Sequence, residues 1–192
     1  MTETSDLTQY LATRRSIPAA RLIAPGPDEA SLLSMLRIAA RVPDHGKLAP
    51  WRFIVIGGPE RDVFTDRLMD IWRSRNETSP TEAATIERGK RAGAPLIVAV
   101  VSRAAEHPKI PVWEQELSAG AACMNLVHAA HAGGYAAQWL TGWPAYDADV
   151  ANLLGLQEGE RIAGFVHIGT PAEAPVERDR PELDSIVVRW FG

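Results

Sequence analysis

The spacing of apolar and polar residues predicts helices that alternate with strands along the 192-residue chain. The longest helical pattern, residues 112–132, is apolar nearly all round in its middle and rich in Ala and Gly. Such a helix is buried, and its small side chains let another backbone approach closely. In a chain of this length, the pattern indicates a subunit interface. Further helices are predicted at residues 5–14, 28–41, 60–76, 81–91 and 146–155, several with charged outer faces.

Runs of apolar residues bounded by turn residues predict the strands, at residues 51–57, 95–102, 135–140 and 161–169. The run at 95–102 is continuous, which is typical of a strand covered on both faces. The segment up to Pro27 carries Pro and Gly and is predicted to be a loop. Residues 185–191, "SIVVRWF", are predicted to be strand-like and to pair with the chain's own sheet or with a partner. Strands alternating with helices indicate a layered α/β sandwich.

Composition narrows the class of protein. A hydrophobic content of 46% over 192 residues predicts one domain, residues 1–192, with a substantial core. The net charge of −4 and the lack of a basic run do not indicate nucleic-acid binding. No signal-like N-terminus and no apolar run long enough for a membrane span are seen. Cys123 is the only cysteine, so a reducing cytoplasm is the expected setting.

The tetrapeptide "TRRS", residues 13–16, ends the first predicted helix. The forked donors of Arg14 and Arg15, with the hydroxyl of Ser16, are suited to a phosphate. The same arginines could instead complement the negative end of the helix dipole and remain in water. The tetrapeptide alone favours the second interpretation.

The connector "RVPDHGKLAPWRF", residues 41–53, carries basic and aromatic side chains on a kinked segment between a helix and a strand. Arg41 and His45 are four residues apart across a Pro-Asp turn, and Trp51 begins the buried strand. Such a loop could bind an aromatic ring ligand whose edges carry hydrogen-bonding groups. Taken alone, however, the connector favours a structural turn in which Asp44 or His45 caps backbone groups.

Other candidate sites have weaker signals. The turn "QWLTG", residues 138–142, leaves a strand end, where loops commonly build sites. His128 and His131 are three apart on the long helix, but no complete metal-ligand spacing accompanies them, so no metal site is predicted. Cys123 is predicted to be buried and unreactive. The chain has no G-x-S-x-G nucleophile motif, no phosphate-binding loop and no dinucleotide fingerprint.

Taken in order, these blocks are more specific than any one alone. Arg-Arg-Ser is followed by Arg-x-Pro-Asp-His, Pro-Trp-x-Phe-x-Val-Ile, "WEQELSAG", Trp-x-Thr-Gly and "GFVHIGTP". This arrangement resembles the FMN-dependent nitroreductase family, in particular its branch of under two hundred residues. The resemblance covers about residues 6–190.

The resemblance implies an α+β fold, a three-layer α/β/α sandwich with a mostly antiparallel central sheet. It further implies an intertwined homodimer with two FMN sites at the interface, the helix 112–132 as the dimer seam, and a C-terminal tail, residues 171–192, that crosses to the partner. It implies a hydride transfer from NAD(P)H, through FMN, to nitroaromatic, quinone-like or related acceptors, in which the two substrates use the same face in turn. No side chain is assigned as a catalytic acid or base.

The resemblance also implies roles for individual residues. Arg14 and Ser16, with Arg15 beside them, would hold the FMN phosphate and ribityl chain, and Arg180 resembles a late basic residue that joins the phosphate in some members. Arg41 and His45 would reach the flavin of the partner subunit. The isoalloxazine would be followed by the residues of the strand-end turn, Trp139, Leu140, Thr141 and Gly142.

The chain departs from the family pattern at three places. Many members carry Lys or Arg two residues after the Ser, near the pyrimidine edge of the flavin, where this chain has Pro18. A positive charge there stabilises the anionic reduced flavin, and Lys47 or Arg21 are alternatives for it. Short-branch members can carry Arg where Leu140 stands, and Ala49 replaces a frequent Gln.

Three other functions remain as alternatives. One is a non-catalytic flavin-binding or storage protein of the same fold. Another is a specialised flavin chemistry such as reductive dehalogenation or flavin breakdown, for which residues 76–91 are the place for a lid. The third is a metal-dependent hydrolase that uses His128 and His131.

Overall fold

The computed structural model describes residues 3–191 and divides them into two compact units. The larger unit, Ser16–Glu173, contains the sheet and five helices. The smaller unit combines the residues up to Arg15 with those from Ala174 onward. The helices are α1 (Glu3–Thr13), α2 (Glu29–Ala39), α3 (Pro59–Arg75), α4 (Thr81–Gly89), α5 (Val112–Ala132) and α6 (Ala148–Leu153).

The sheet consists of five strands, all paired antiparallel. Four of them lie in the order β1-β5-β3-β2, and β4 pairs with β5 as well. The antiparallel α+β architecture predicted through the family resemblance is confirmed. The strands are β1 (Leu22–Ile23), β2 (Trp51–Gly57), β3 (Leu96–Ser102), β4 (Ala136–Leu140) and β5 (Arg161–Pro171).

Strand β3 is buried along its whole length, as its continuous hydrophobicity predicts. Because successive side chains of a strand point to opposite faces, it contributes to two cores. Val98 and Val100 pack with residues of α2 and α5 on one face of the sheet. Ile97 and Ala99 pack with residues of α3 and α6 on the other. Helices therefore cover both faces of the sheet within this unit.

Local signals locate several boundaries correctly. The Asp28 carboxylate accepts a hydrogen bond from the Ser31 backbone N–H (2.8 Å) and so caps the start of α2. Helix α5 spans the predicted residues 112–132, and Gly134, with φ of 82°, ends it. No helix among the described residues is long and apolar enough to cross a membrane.

One prediction at an edge of the fold is wrong. Residues 22–23, predicted as part of a loop, form the short strand β1 against Thr170 and Pro171. Residues 185–191, predicted to be strand-like, form no strand in the single chain, and a helical turn, Leu183–Ser185, lies at their start. A strand needs a neighbour for its backbone hydrogen bonds, so pairing of this tail with a partner stays a prediction.

Candidate functional site

The loop of residues 41–50 has a strained backbone between α2 and β2. Lys47 and Ala49 have positive φ angles of 58° and 46°. For residues with a side chain this left-handed region costs about 1–2 kcal/mol, and such strain persists where the surroundings enforce it. The Asp44 carboxylate does so here, because its oxygens accept hydrogen bonds from the backbone N–H of Leu48 (3.0 Å) and of Ala49 (2.9 Å).

One polar face of α5 anchors the same loop. Ser118 Oγ donates to the carbonyl oxygen of Pro43 (2.7 Å) and accepts from Trp51 Nε1 (3.1 Å). Asn125 Nδ2 donates to the carbonyl oxygen of Arg41 (2.9 Å). Residues seven apart on a helix share a face, so this face follows the loop along two helical turns.

His45 is paired with Glu114, which lies in the first turn of α5. Its Nδ1 is 2.7 Å from Glu114 Oε2. A carboxylate accepts a hydrogen bond from Nδ1–H, which keeps the proton on Nδ1 and leaves Nε2 for other partners. The side chains of Arg41, His45 and Lys47 are all exposed. The loop thus combines a fixed backbone with basic side chains directed to solvent.

A second candidate surface is the free edge of β4. The segment after Arg-Arg-Ser runs along this edge, since the Ile17 N–H donates to the Ala137 carbonyl oxygen (3.3 Å). The Ala19 N–H donates to Gln138 Oε1 (2.6 Å). These bonds bring Ser16, which is exposed, alongside the end of β4.

Trp139, near the end of β4, is 38% exposed and packs against a glycine of the neighbouring strand. A Cβ added to Gly164 would overlap the indole, so only glycine leaves this space. Trp139 Nε1 donates to the carbonyl oxygen of Ala163 (3.2 Å). The indole is therefore fixed on one side and open on the other.

Leu140 points to the opposite face of the sheet from Trp139. Trp139 is paired with Val166, which belongs to the core facing α5. Leu140 is paired with Phe165, which belongs to the other core. A flat ligand could follow both residues only along the backbone edge of the strand, because their side chains diverge.

The turn that follows β4 requires glycine. Gly142 has φ of 64° and ψ of −171°, a conformation open essentially to glycine alone. Arg91 Nη2 would lie 3.3 Å from a Cβ at this position. The guanidinium of Arg91 is thus in direct proximity to the Thr141–Gly142 turn, where the family resemblance locates the reactive edge of the flavin.

A buried carboxylate holds Arg91 in that position. Glu87, on the last turn of α4, is paired with Arg91 and with Lys90 Nζ (2.9 Å) and accepts a hydrogen bond from Trp143 Nε1 (2.7 Å). Burial alone would raise the pKa of Glu87, but these hydrogen bonds and charges outweigh it and lower the pKa. Glu87 is therefore a carboxylate at neutral pH. Arg91 also lies over the Trp143 ring, 5.8 Å from its centroid.

The remaining predicted residues belong to the smaller unit. Arg15 Nε donates to the carbonyl oxygen of Val176 (3.1 Å) and lies 3.4 Å from Glu177 Oε1. Arg180 Nη2 lies 3.7 Å from the same carboxylate oxygen. Two predicted phosphate ligands thus share one carboxylate. Arg14, which directly follows α1, is partly buried.

The described residues give no support to the alternative of a metal-dependent hydrolase that uses histidines. Among residues 3–191 no group of three or more His, Cys, Asp or Glu side chains is arranged to hold a metal ion. Cys123 is buried on α5, and burial raises its pKa to about 12, so its thiol is protonated. His167, in the middle of β5, is 2% exposed. Burial, followed by the nearby charges of Arg91 and Arg61, lowers the pKa of His167 to about 3.

Sequence reasoning missed five residues of these two surfaces. Glu114, Ser118 and Asn125 were detectable as polar positions repeating on one face of an otherwise apolar helix. Glu87 and Arg91 were not detectable. The charged pattern of α4 predicts a helix on the surface, whereas the side chain of Glu87 is buried.

A family model described as the nitroreductase family matches residues 11–170. The chain belongs to the nitroreductase family. Members of this family are oxidoreductases.

Known proteins similar to this chain agree with that assignment. "Putative NAD(P)H nitroreductase YdjA" of Escherichia coli strain K12 is 36% identical over 168 residues, which cover 86% of this chain and 88% of that protein. A nitroreductase-like protein from Bacillus cereus superposes with a TM-score of 0.81 at 21% identity, over 97% of this chain and 96% of the other. A nitroreductase with bound FMN from Bacteroides fragilis superposes with a TM-score of 0.68 at 21% identity, over 95% and 98%. At these identities the two structures support the fold alone.

Proposed function

We propose that this protein is an FMN-dependent oxidoreductase that takes hydride from NADH or NADPH and passes it to nitroaromatic, quinone-like or related acceptors. The observation that carries the proposal is the free edge of β4. The segment after Arg-Arg-Ser runs along it and the Gly142 turn ends it, while the half-exposed indole of Trp139 packs over the neighbouring strand β5. A phosphate-binding segment, a flat surface and a close backbone approach are the features that FMN requires.

The available donors fit the phosphate of FMN. Arg14, Arg15, Ser16 and Arg180 would hold it, because guanidinium forks and hydroxyls match phosphate oxygens. Arg15 and Arg180 already share the Glu177 carboxylate. A bound phosphate would compete with Glu177 for those donors, which would moderate the affinity.

The isoalloxazine would lie along the backbone edge of β4. Trp139, Leu140, Thr141 and Gly142 would contact it chiefly through their main chain, since the first two side chains diverge to opposite faces. The absence of a Cβ at Gly142 lets a ring approach the backbone closely.

Arg41 and His45 would contact the FMN of a second copy of the chain. Ser118 anchors the loop, while the Trp139 indole approaches α5 at Gly120, where an added Cβ would lie 3.9 Å from it. Positions two apart on a helix do not share a face. The loop and Trp139 of one chain therefore meet different faces of α5, which favours contact between the loop and the ring site of another chain.

An apolar stripe on α5 supports the homodimer that this arrangement needs. Trp113 and Leu117, one helical turn apart, are 66% and 53% exposed. Exposed aromatic and aliphatic side chains in a row are typical of a surface that another protein covers. We propose that a second copy covers them, and that the tail from residue 171, with Trp190 and Phe191 exposed, crosses to it.

Bound FMN would supply the hydride-accepting and hydride-donating chemistry. The residues of this chain would bind it, orient it and leave one face open for the two substrates in turn. No side chain is proposed as an acid or base for reduction by NAD(P)H. We further propose that residues 1–192 act as one domain and that the protein is cytoplasmic, in keeping with its single, buried cysteine.

The visible spectrum of the purified protein, before and after anaerobic addition of NADH or NADPH, tests the proposal. We expect a flavin spectrum that bleaches with at least one nucleotide, and the faster nucleotide identifies the donor. A flavin spectrum that neither nucleotide bleaches would favour a storage protein. A colourless protein that takes up no added FMN would contradict the proposal.

Single-site variants test the proposed residues. Arg14→Ala should weaken FMN retention much more than it lowers the free energy of unfolding, and full retention would contradict the phosphate assignment. A mixed dimer of one Arg14→Ala chain with one His45→Ala chain should regain one intact site. Its failure to bind FMN better than either pure variant would argue against contact across the dimer.

A further inference from the structure

The Glu87 cluster contains more positive charge than its carboxylate neutralises. Glu87 and Arg91 have side chains only 9% and 13% exposed, whereas Lys90 is 59% exposed. Two cations face one carboxylate, so the cluster carries a net charge of about +1. The exposed Lys90 is screened by solvent, so the largely buried part of the cluster is the Arg91–Glu87 ion pair. The ring face of Trp143 adds a further contact for the Arg91 cation.

Two further ionisable groups, His167 and Arg61, belong to the same electrostatic neighbourhood. His167, which Arg91 influences electrostatically, is neutral at physiological pH because burial, helped by Arg91 and Arg61, lowers its pKa to about 3. Arg61 is a further cation and is paired with Asp62 (2.8 Å). The guanidinium of Arg91 is therefore held in a part of the protein that is largely shielded from water, where its charge acts more strongly than at the surface.

The cluster provides a positive charge near the proposed flavin, where the family pattern leads one to expect a basic residue. Pro18 occupies the position where a basic residue would be expected near the flavin. Arg21, one alternative, is paired with Glu173. Lys47, the other, belongs to the exposed loop that would serve the second subunit. Arg91 is the cation that lies against Gly142.

We propose that Arg91, held in position by Glu87 and Trp143, stabilises the anionic reduced form of FMN from behind the Thr141–Gly142 turn and so sets its redox potential. This inference rests on the proposed function. Arg91 would act as a positioning and electrostatic residue, not as a proton donor. Glu87 would set how much of the Arg91 charge the flavin experiences.

The proposal predicts opposite signs for two neighbouring substitutions. Arg91→Gln removes a positive charge, so the preference for reduced over oxidised FMN should fall about tenfold. For a two-electron couple this is a midpoint potential lower by about 30 mV. Glu87→Gln keeps hydrogen-bonding groups but removes the negative charge, so the potential should rise by a similar amount.

The experiment measures the midpoint potential of the FMN-loaded protein against a reference dye, with the affinity for oxidised FMN measured in parallel. Arg91→Lys, which keeps the charge, should retain most of the wild-type potential. Arg88→Gln is the matched control, since it removes a cation that pairs with Asp66 on the outside of the same helix. It should leave the potential unchanged.

Several results would overturn the inference. An unchanged potential in Arg91→Gln would do so, as would shifts of the same sign in Arg91→Gln and Glu87→Gln, which indicate a merely structural role. A larger decrease in the midpoint potential of Lys90→Gln than in that of Arg91→Gln would assign the effect to Lys90 and contradict the inference.

If Arg91→Gln does not fold, the sign of the shift in the midpoint potential of Glu87→Gln tests the inference instead: a lower potential would overturn it. A wild-type chain that binds no FMN would overturn the proposed function itself, whereas normal FMN binding with unshifted potentials overturns this inference alone.

Discussion

The loop of residues 41–50 and the turn after β4 both bring basic groups to the proposed flavin site, but they are built differently. In the loop, Arg41, His45 and Lys47 are exposed and the backbone is fixed by hydrogen bonds. At the turn, Arg91 is buried beside a carboxylate. Exposed cations can bind a group that arrives from outside, whereas a buried, paired cation can only modify a group already held nearby.

This comparison predicts the largest stability effect on the turn side. In Glu87→Ala, Arg91 loses its buried counter-charge, and we expect the free energy of unfolding to fall by about 3 kcal/mol. Urea denaturation of the apoprotein measures it. Glu82→Ala, on the exposed start of the same helix, is the control and should cost less than about 0.5 kcal/mol. Equal effects of the two substitutions on the free energy of unfolding would show that the buried Glu87–Arg91 pair makes no special contribution to stability.

A second turn-side prediction concerns the space below Trp139. Gly164→Ala would force the indole away from Ala163, and overpacking of this kind costs about 2 kcal/mol. Gly120→Ala is the matched control, because its Cβ would lie at an ordinary contact distance of 3.9 Å from the same indole. In urea denaturation the control should be neutral or stabilising, since alanine favours a helix. A neutral Gly164→Ala would mean that Trp139 is not fixed there.

The buried histidine of the turn side should make stability depend on pH. His167 has a folded-state pKa of about 3, below the ordinary value of 6.5, so the unfolded chain binds the extra proton first as the pH falls. We expect this residue alone to remove about 1.5 kcal/mol between pH 6.5 and pH 5. His167→Leu should flatten this part of the pH–stability curve, which urea denaturation at a series of pH values measures. A slope that persists in His167→Leu would assign it to other groups.

The smallest predicted effect is on the loop side and has the opposite sign. Ala49→Gly removes the left-handed strain at φ of 46° and should raise the free energy of unfolding by about 0.5 kcal/mol, because the relief exceeds the entropy cost of glycine. Ala40→Gly, in an ordinary right-handed conformation at φ of −73°, should destabilise instead. Thermal denaturation of the two variants compares them. Destabilisation by both would mean that the loop is not strained.

The sequence predicts those elements whose formation depends on residues close together in the chain. Helix α5 and strand β2 have the predicted bounds, because their apolar patterns are continuous and end at glycines or turns. Strand β1 was missed because its pairing depends on Thr170, far along the chain. The tail at 185–191 has the same kind of Val- and Ile-rich composition as β3, yet it forms no strand among the described residues. Composition indicates a tendency to pair but does not identify the partner.

The candidate site divides in the same way. The loop of residues 41–50 and residues 138–142 could be chosen as candidates from the order of the motifs, because each consists of residues that are adjacent in the sequence. The Glu87–Arg91–Trp143 cluster could not, since Trp143 is more than fifty positions from its partners and only the fold joins them. All the residues assigned to the FMN site stay predictions: Arg14, Arg15, Ser16, Arg41, His45, Trp139, Leu140, Thr141, Gly142 and Arg180.

The way the loop is anchored has a consequence for how this enzyme could diversify. Its shape depends on Asp44, Ser118 and Asn125, which bond to backbone groups. The outward side chain of Lys47 takes no part in those bonds and is not assigned to the flavin. Evolution, or a designed library, can therefore exchange this side chain and test new ligand preferences while the other residues maintain the shape of the loop.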